Sequence, residues 1–243
     1  MGELVAAEFL KLRTTRAFWI IVAITFVLMG LIALGFSAAT DLESDDDLRF
    51  SLSTEGGGIM ALILAVVGTA GEYRHNTITA AFLVTAERWR VVAAKVLAYA
   101  LAGIALGLLS QLLVGAIVAI WYLAADAPSA LPERDALELL VGSAGYWAFM
   151  AVLGVGLGLL MKNQAAAIVL ALVVLFVVQP TIAALEPDVA KFLPTAVGSA
   201  FAQTSDPGDT ELLASGTAIA VAFVYVALTS GAAAYVLDRR DVT

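Results

Sequence analysis

The chain of 243 residues has no cysteine, one histidine (His75) and only 14% charged residues. Without cysteine there are no disulfides, thiolate metal sites, cysteine nucleophiles or cysteine-ligated iron–sulfur clusters. A single histidine removes most of the remaining site chemistry, because a zinc site usually needs two or more and a catalytic triad would need this one. No H-E-x-x-H run occurs, which excludes metalloproteases that use it. No G-x-x-x-x-G-K-[ST] phosphate loop occurs either, so the backbone cradle and lysine that would hold ATP are missing. Basic residues are outnumbered, 13 against 21 acidic, for a net charge of -8, which argues against nucleic-acid binding.

What the chain has in excess is apolar surface, with 61% hydrophobic residues against about 45–50% in soluble domains. These residues gather into six stretches free of Lys, Arg, Asp, Glu and His: 18–37, 56–71, 96–124, 139–161, 164–185 and 212–237. Lipid offers no partner to backbone N–H and C=O groups, so such stretches read as membrane helices that satisfy their own backbone. The expected fold is therefore an all-α membrane protein, one transmembrane domain over 1–243 with six transmembrane helices. The second stretch is short and borrows residues 50–55 as a lead-in, while the third is long enough to tilt or project. A cleavable signal peptide is the competing reading of the first stretch, with Phe36-Ser37-Ala38-Ala39 as the cleavage region. Against it, the run exceeds the roughly 7–15 apolar residues of a signal core.

The basic residues orient the helices. With the amino terminus inside, Lys11, Arg13, Arg16, Arg74, Arg88, Arg90, Lys95, Lys162, Arg239 and Arg240 are cytoplasmic, and only Arg49, Arg134 and Lys191 lie outside. This 10 to 3 division obeys the positive-inside rule and puts both termini in the cytoplasm. The acids sort the other way, with Asp41, Glu43, Asp45, Asp46, Asp47 and Glu55 in the first outside loop. They read as a solvated surface or as an attractor of cations, without the spacing of a calcium loop.

Two cytoplasmic segments stand out. In 1–17, Val5, Phe9 and Leu12 fall on one helical stripe while Glu3 and Lys11 point away, as expected of a helix lying in the membrane interface. The loop 72–95 is too long for a simple helix–helix turn of roughly 2–8 residues. Asn76 or Thr77 caps a short helix there, with Ile78, Phe82 and Ala86 recurring at i+4. Such a face must bury itself in lipid headgroups or in a partner protein. His75, beside Arg74, is expected to serve structure or docking, since a cationic neighbour disfavours its protonation.

At this loop the sequence resembles the membrane subunits of ABC transporters of the ABC-2 type. The resemblance lies in Glu8-Phe9-Leu10-Lys11-Leu12-Arg13 leading through Arg16 to Phe18-Trp19, in Gly71-Glu72-Tyr73-Arg74 followed by Thr77-Ile78, and in Arg88 with Ala94-Lys95. It implies that 1–17 is an amino-terminal interfacial elbow and that 72–95 carries a cytoplasmic coupling helix seated in a groove of an ATPase subunit. Carried over, Thr77, Ile78, Phe82 and Leu83 are docking residues, and Glu72 and Arg74 anchor the base of the loop. The extracellular segment 186–211, with Pro187, Pro194 and Pro207, resembles the short outer helices of this class.

Inside the stretches, Gln111, Gln164 and Gln179 are the main polar side chains, joined by Ser110, Ser143, Asn163 and Thr181. They read as interhelical contacts or as an aqueous lining; Gln111 and Gln179 are the candidates for a substrate path, and Pro180 is expected to kink or break the fifth helix. Gly103 with Gly107, and Gly154 with Gly158, permit close helix approach.

The leading expectation is the permease subunit of an ABC-2 exporter in a prokaryotic-type plasma membrane, not an enzyme, with no cofactor on this chain. It implies a separate P-loop ATPase subunit that binds ATP and a second membrane subunit, identical or related. The substrate is unidentified; an uncharged lining favours a hydrophobic, amphipathic or lipid-like cargo. The alternatives are a non-transporting membrane assembly or sensor protein, a secondary transporter, which normally needs a buried ionisable relay, and an intramembrane enzyme.

Overall fold

The computed structural model describes residues 1–39, 48, 52, 54–74, 87–126, 133–202 and 212–239, and its regular elements are all helical. Helix α1 (Gly2–Thr14) stops at Thr15, whose backbone is extended at φ -88° and ψ 127°. The Thr14 and Thr15 hydroxyls bond back to the Leu10 and Lys11 carbonyls, satisfying acceptors that the helix end leaves open. Helix α2 (Arg16–Ala39) follows at once, and the corner is pinned by the Trp19 indole N–H donating to the Arg13 carbonyl at 2.9 Å.

Helix α3 (Gly58–Arg74) has 17 residues, about 25 Å at 1.5 Å per residue. Helix α4 (Arg88–Ala124) has 37, about 55 Å. It begins eight residues before the apolar stretch at 96–124, because Val91, Val92 and Ala94 are buried and continue the same helix. Helix α5 (Glu133–Met161) leads through Lys162 and Asn163 into α6 (Gln164–Val173), whose start is capped by Asn163 Oδ1 accepting from the Ala166 N–H at 3.1 Å. Among the described residues five helices, within Arg16–Ala39, Trp89–Ala124, Ala136–Met161, Gln164–Leu185 and Ser215–Val236, are long and apolar enough to cross a membrane.

The fifth apolar stretch does not break at Pro180. A π-helical turn, Val174–Val178, joins α6 to α7 (Gln179–Leu185), and the Gln179 N–H donates to the Val174 carbonyl. Proline has no N–H to return to the carbonyl of Phe176, so the chain widens by one residue per turn instead of losing the helix. Short helices α8 (Pro187–Ala190) and α9 (Pro194–Ala202) precede α10 (Ser215–Arg239).

Helix α5 is the centre of the bundle, packed against α3, α4, α9 and α10. Its apolar window is 67% buried, against 11% for Gln164–Leu185 and Ser215–Val236, so those two helices lie at the periphery. Close approach to α5 depends on glycine. A Cβ at Gly103 would sit 2.6 Å from the Trp147 carbonyl oxygen, and one at Gly107 would sit 2.8 Å from the Trp147 ring. Gly154 and Gly158 do the same against α3, facing the Leu62 backbone and Thr69. Outside, α2 displays Trp19, Ile24, Val27 and Leu31, and α10 displays Phe223, Val224 and Leu228. Apolar faces of this extent are foreign to a water-facing monomer and natural in lipid.

Candidate functional site

Four charged side chains from three helices meet at one end of the bundle. Glu8 projects from α1, Glu72 from the last turn of α3, and Lys95 from the third turn of α4; all three are buried, Lys95 to 0% exposure. The Lys95 ammonium donates to Glu8 Oε2 at 2.9 Å and to Glu72 Oε1 at 2.7 Å. Lys11, one turn from Glu8, reaches in from the edge and donates to Glu8 Oε1 at 2.7 Å and to Glu72 Oε1 at 2.9 Å. Two carboxylates and two ammoniums make a neutral set. Neutrality and direct pairing let a lysine be buried, since an unpaired ion there would cost several kcal/mol.

The surroundings are shaped to fit. Tyr99, one turn beyond Lys95 on α4, is buried against α3 at Gly68, where any Cβ would overlap its hydroxyl. The buried face of α1 is not the predicted Val5, Phe9 and Leu12 stripe alone. Glu8 is buried together with Leu12, and Lys11 turns inward although its stem is half exposed. Pairing with Lys95 lets the Glu8 carboxylate share the buried face with Leu12.

Where α3 ends, Tyr73 donates to the Leu159 carbonyl at 3.4 Å, and the Lys162 ammonium lies 5.5 Å from the Tyr73 ring. The turn between α5 and α6 is therefore at the same end as the ion cluster. Arg74 closes α3 and is exposed. The remaining docking candidates Thr77, Ile78, Phe82 and Leu83, and His75, lie outside the described residues.

The two glutamines proposed for a substrate path are held inside the chain. Gln111 Nε2 donates to the Leu52 carbonyl at 3.0 Å, and its Oε1 accepts from Thr54 and Ser143 hydroxyls, each at 3.1 Å. The Trp147 indole N–H adds a bond to the Thr54 carbonyl at 3.2 Å, so the knot ties α4 and α5 to the segment before α3. Gln179 Oε1 accepts from the Thr195 N–H at 3.1 Å and from its hydroxyl, satisfying a free donor in the first turn of α9. Both are the interhelical polar contacts by which membrane bundles fix their register.

A family model described as ABC-2 family transporter protein matches residues 4–178, from α1 through the π turn. The chain belongs to the ABC-2 transporter family. No curated protein matches it. The match covers every member of the ion cluster and the base of the 75–86 segment. The chain is thus a multi-pass membrane permease, a component of transport.

In this permease the contact that sequence reading missed is Glu8 with Lys95, 87 residues apart. A signal was present: Lys95 has Val91, Val92, Ala93 and Ala94 before it and an apolar run after it, so the lysine sits within an apolar helix, not at its flank.

The cluster also has a definite pH dependence. Burial alone would raise the Glu8 carboxyl, but Lys95 and Lys11 outweigh it and hold Glu8 below its ordinary value of 4.5. Burial would lower the Lys11 ammonium, but Glu8 and Glu72 outweigh it and hold Lys11 above 10.5. A depressed carboxyl stabilises fully above its unfolded value and loses this as pH falls through the folded one. A raised ammonium stabilises fully below its unfolded value and loses this as pH rises. Docking of α1 is therefore expected to be flat from about pH 5.5 to about 9.5 and to weaken only in stronger acid or base. Hydrogen exchange of amides 2–14 measures it, and a transition centred near neutrality would contradict the assignment.

Proposed function

We propose that this chain is the membrane-spanning subunit of an ABC-2 type exporter, which moves its cargo out of the cytoplasm with ATP hydrolysed on a separate nucleotide-binding subunit. In this reading α3 is a short second crossing, which brings the crossings to six and both termini to the cytoplasm. The ion cluster supports the orientation: it gathers α1, the end of α3 and the start of α4 at one end, where Lys11, Arg13, Arg16, Arg74 and Arg90 also lie.

The observation that carries the proposal is the anchoring of Glu72. The segment 75–86 departs from a helix end that is clamped to α1 by the half-exposed Lys11 ammonium and to α4 by the buried Lys95 ammonium. A load applied to that segment passes directly into three helices. Cargo access is then switched by a partner that pushes there on binding ATP, and Ile78, Phe82 and Leu83 supply the apolar docking face. The chain pairs with a second membrane subunit, identical or related, to match two nucleotide-binding subunits.

The test is gentle extraction from the native membrane followed by mass spectrometry of what co-purifies, with Phe82→Asp as the comparison. The expected result is a P-loop ATPase with the parent chain and a loss of about tenfold or more with Phe82→Asp, as for a truncated interface anchor. No ATPase under conditions that preserve other membrane complexes would overturn the proposal in favour of an assembly or sensor role.

A further inference from the structure

Beside the ion cluster is a cavity of about 480 Å³, framed by α1, the start of α2 and the second half of α3. Its volume suits a small-molecule group, not a whole lipid. Its lining has two parts. Glu8, Lys11, Glu72 and Arg74 are its charged members and Leu12, Phe18, Leu64 and Val67 its apolar ones, and along α3 the apolar Leu64 and Val67 precede the charged Glu72 and Arg74. Gly68 and Gly71, with no side chains, are on the wall. A water-soluble ion would gain nothing from the apolar part and a hydrocarbon nothing from the charged part, whereas an amphiphile matches both.

The charge selects its sign. Lys11 and Arg74 line the cavity against Glu8 and Glu72, and Lys95, behind the lining, pairs with both carboxylates, so these five groups together carry one net positive charge. Exposure strengthens the bias: the two carboxylate side chains are 8% exposed and taken up by ammoniums, while the Lys11 side chain is 47% exposed and Arg74 is exposed. Among the described residues the Lys11 ammonium makes two hydrogen bonds, so its third N–H is left for a ligand. The accessible charge is cationic, and the anion it fits is a phosphate. Depth agrees with this. Trp19, 58% exposed and bonded to the corner between α1 and α2, sits where aromatic residues mark a membrane interface, next to Arg13 and Arg16.

We propose that this cavity is a phospholipid site: the headgroup phosphate lies between Lys11 and Arg74, and the first carbons of an acyl chain lie along Phe18, Leu64 and Val67. The proposal rests on the orientation given above, which places this end at the inner leaflet. The lipid fills the wedge between the elbow and α3 and ties the ion cluster to the membrane surface.

The test uses the purified, delipidated full chain in detergent and native mass spectrometry with three probes: phosphatidylglycerol, diacylglycerol with the same tails, and inorganic phosphate. One retained phosphatidylglycerol is expected, with diacylglycerol and phosphate each bound about tenfold less or worse. Arg74→Gln and Val67→Trp should each lose the adduct by a similar factor, the first by removing charge and the second by filling the apolar part, while Arg74→Lys should keep most of it. Equal retention of diacylglycerol, equal binding of inorganic phosphate, or undiminished adducts in both Arg74→Gln and Val67→Trp would overturn the site. Melting curves show whether each variant is folded. The assay contains no ATPase, so no phosphatidylglycerol adduct on the parent chain beside a retained ATPase partner rejects the lipid site alone, and an adduct on the parent chain beside a missing ATPase rejects the exporter reading alone.

Discussion

Lys95→Met is expected to cost about 3–5 kcal/mol, the range for removing one partner of a buried ion pair. Methionine matches the lysine stem in size, so packing against Tyr99 is kept and the loss is electrostatic. Glu8 and Glu72 would remain buried and lose the Lys95 contacts, keeping those of Lys11, so that this set of two acids and one base would carry a net charge of -1. Adding Glu72→Gln returns the set to neutrality, so the double variant should recover at least half of the loss. Thermal unfolding in detergent, followed by size-exclusion chromatography, measures both. A single variant as stable as the parent would show that the cluster does not support the fold, and a double variant worse than the single would show that charge balance is not the cause.

Gly154→Leu is the second substitution with a large expected effect. Its Cβ would overlap the Leu62 carbonyl oxygen and lie 2.9 Å from the Ala65 Cβ, and a backbone carbonyl has no rotamer by which to move aside. Helix α5 must then withdraw from α3, opening the most extensive contact of the bundle. A cost of about 3 kcal/mol, the upper part of the usual range for overpacking, is expected. Gly115→Leu is the matched comparison, because nothing lies within 4 Å of a Cβ there, and it should be within about 0.5 kcal/mol of the parent. The monodisperse yield of the two variants in parallel measures the difference. Similar yields would mean that α3 and α5 do not meet as closely as Gly154 indicates.

The architecture was legible because lipid forces it. Each of the six apolar stretches carries helix, and among the described residues five of these helices are long and apolar enough to cross a membrane. The ends were less legible, since a helix continues wherever its next turn can be buried: Arg88–Lys95 belongs to α4 because Val91, Val92 and Ala94 pack, a fact that charge counting hides. The π turn was unreadable for a different reason. Pro180 announces a missing hydrogen bond, but whether the chain breaks, bends or widens depends on the helix around it, and here it widens.

The candidate site divides in the same way. Glu72 was singled out by the family resemblance as an anchor at the base of the loop, whereas the other members of its cluster come from positions 8, 11 and 95. Spacing along one helix shows Lys11 beside Glu8, but no periodicity links either to Lys95. The glycine pairs were visible as spacing and ambiguous as meaning, because 20 glycines produce such pairs by chance. Only the Trp147 and Leu62 backbones opposite them give the spacing a purpose.

The order of the four charges along the chain has a consequence for biogenesis. Synthesis delivers the amino-terminal part first, so Glu8, Lys11 and Glu72 are all in place before Lys95 is made. Until then neither carboxylate has its Lys95 contact, and the ion pairs of Lys11 join α1 to α3 without it. Helix α4 brings the Lys95 ammonium, already set within its own helix, and closes the set. The joint of α1 with α3 is therefore completed only when a helix made later arrives.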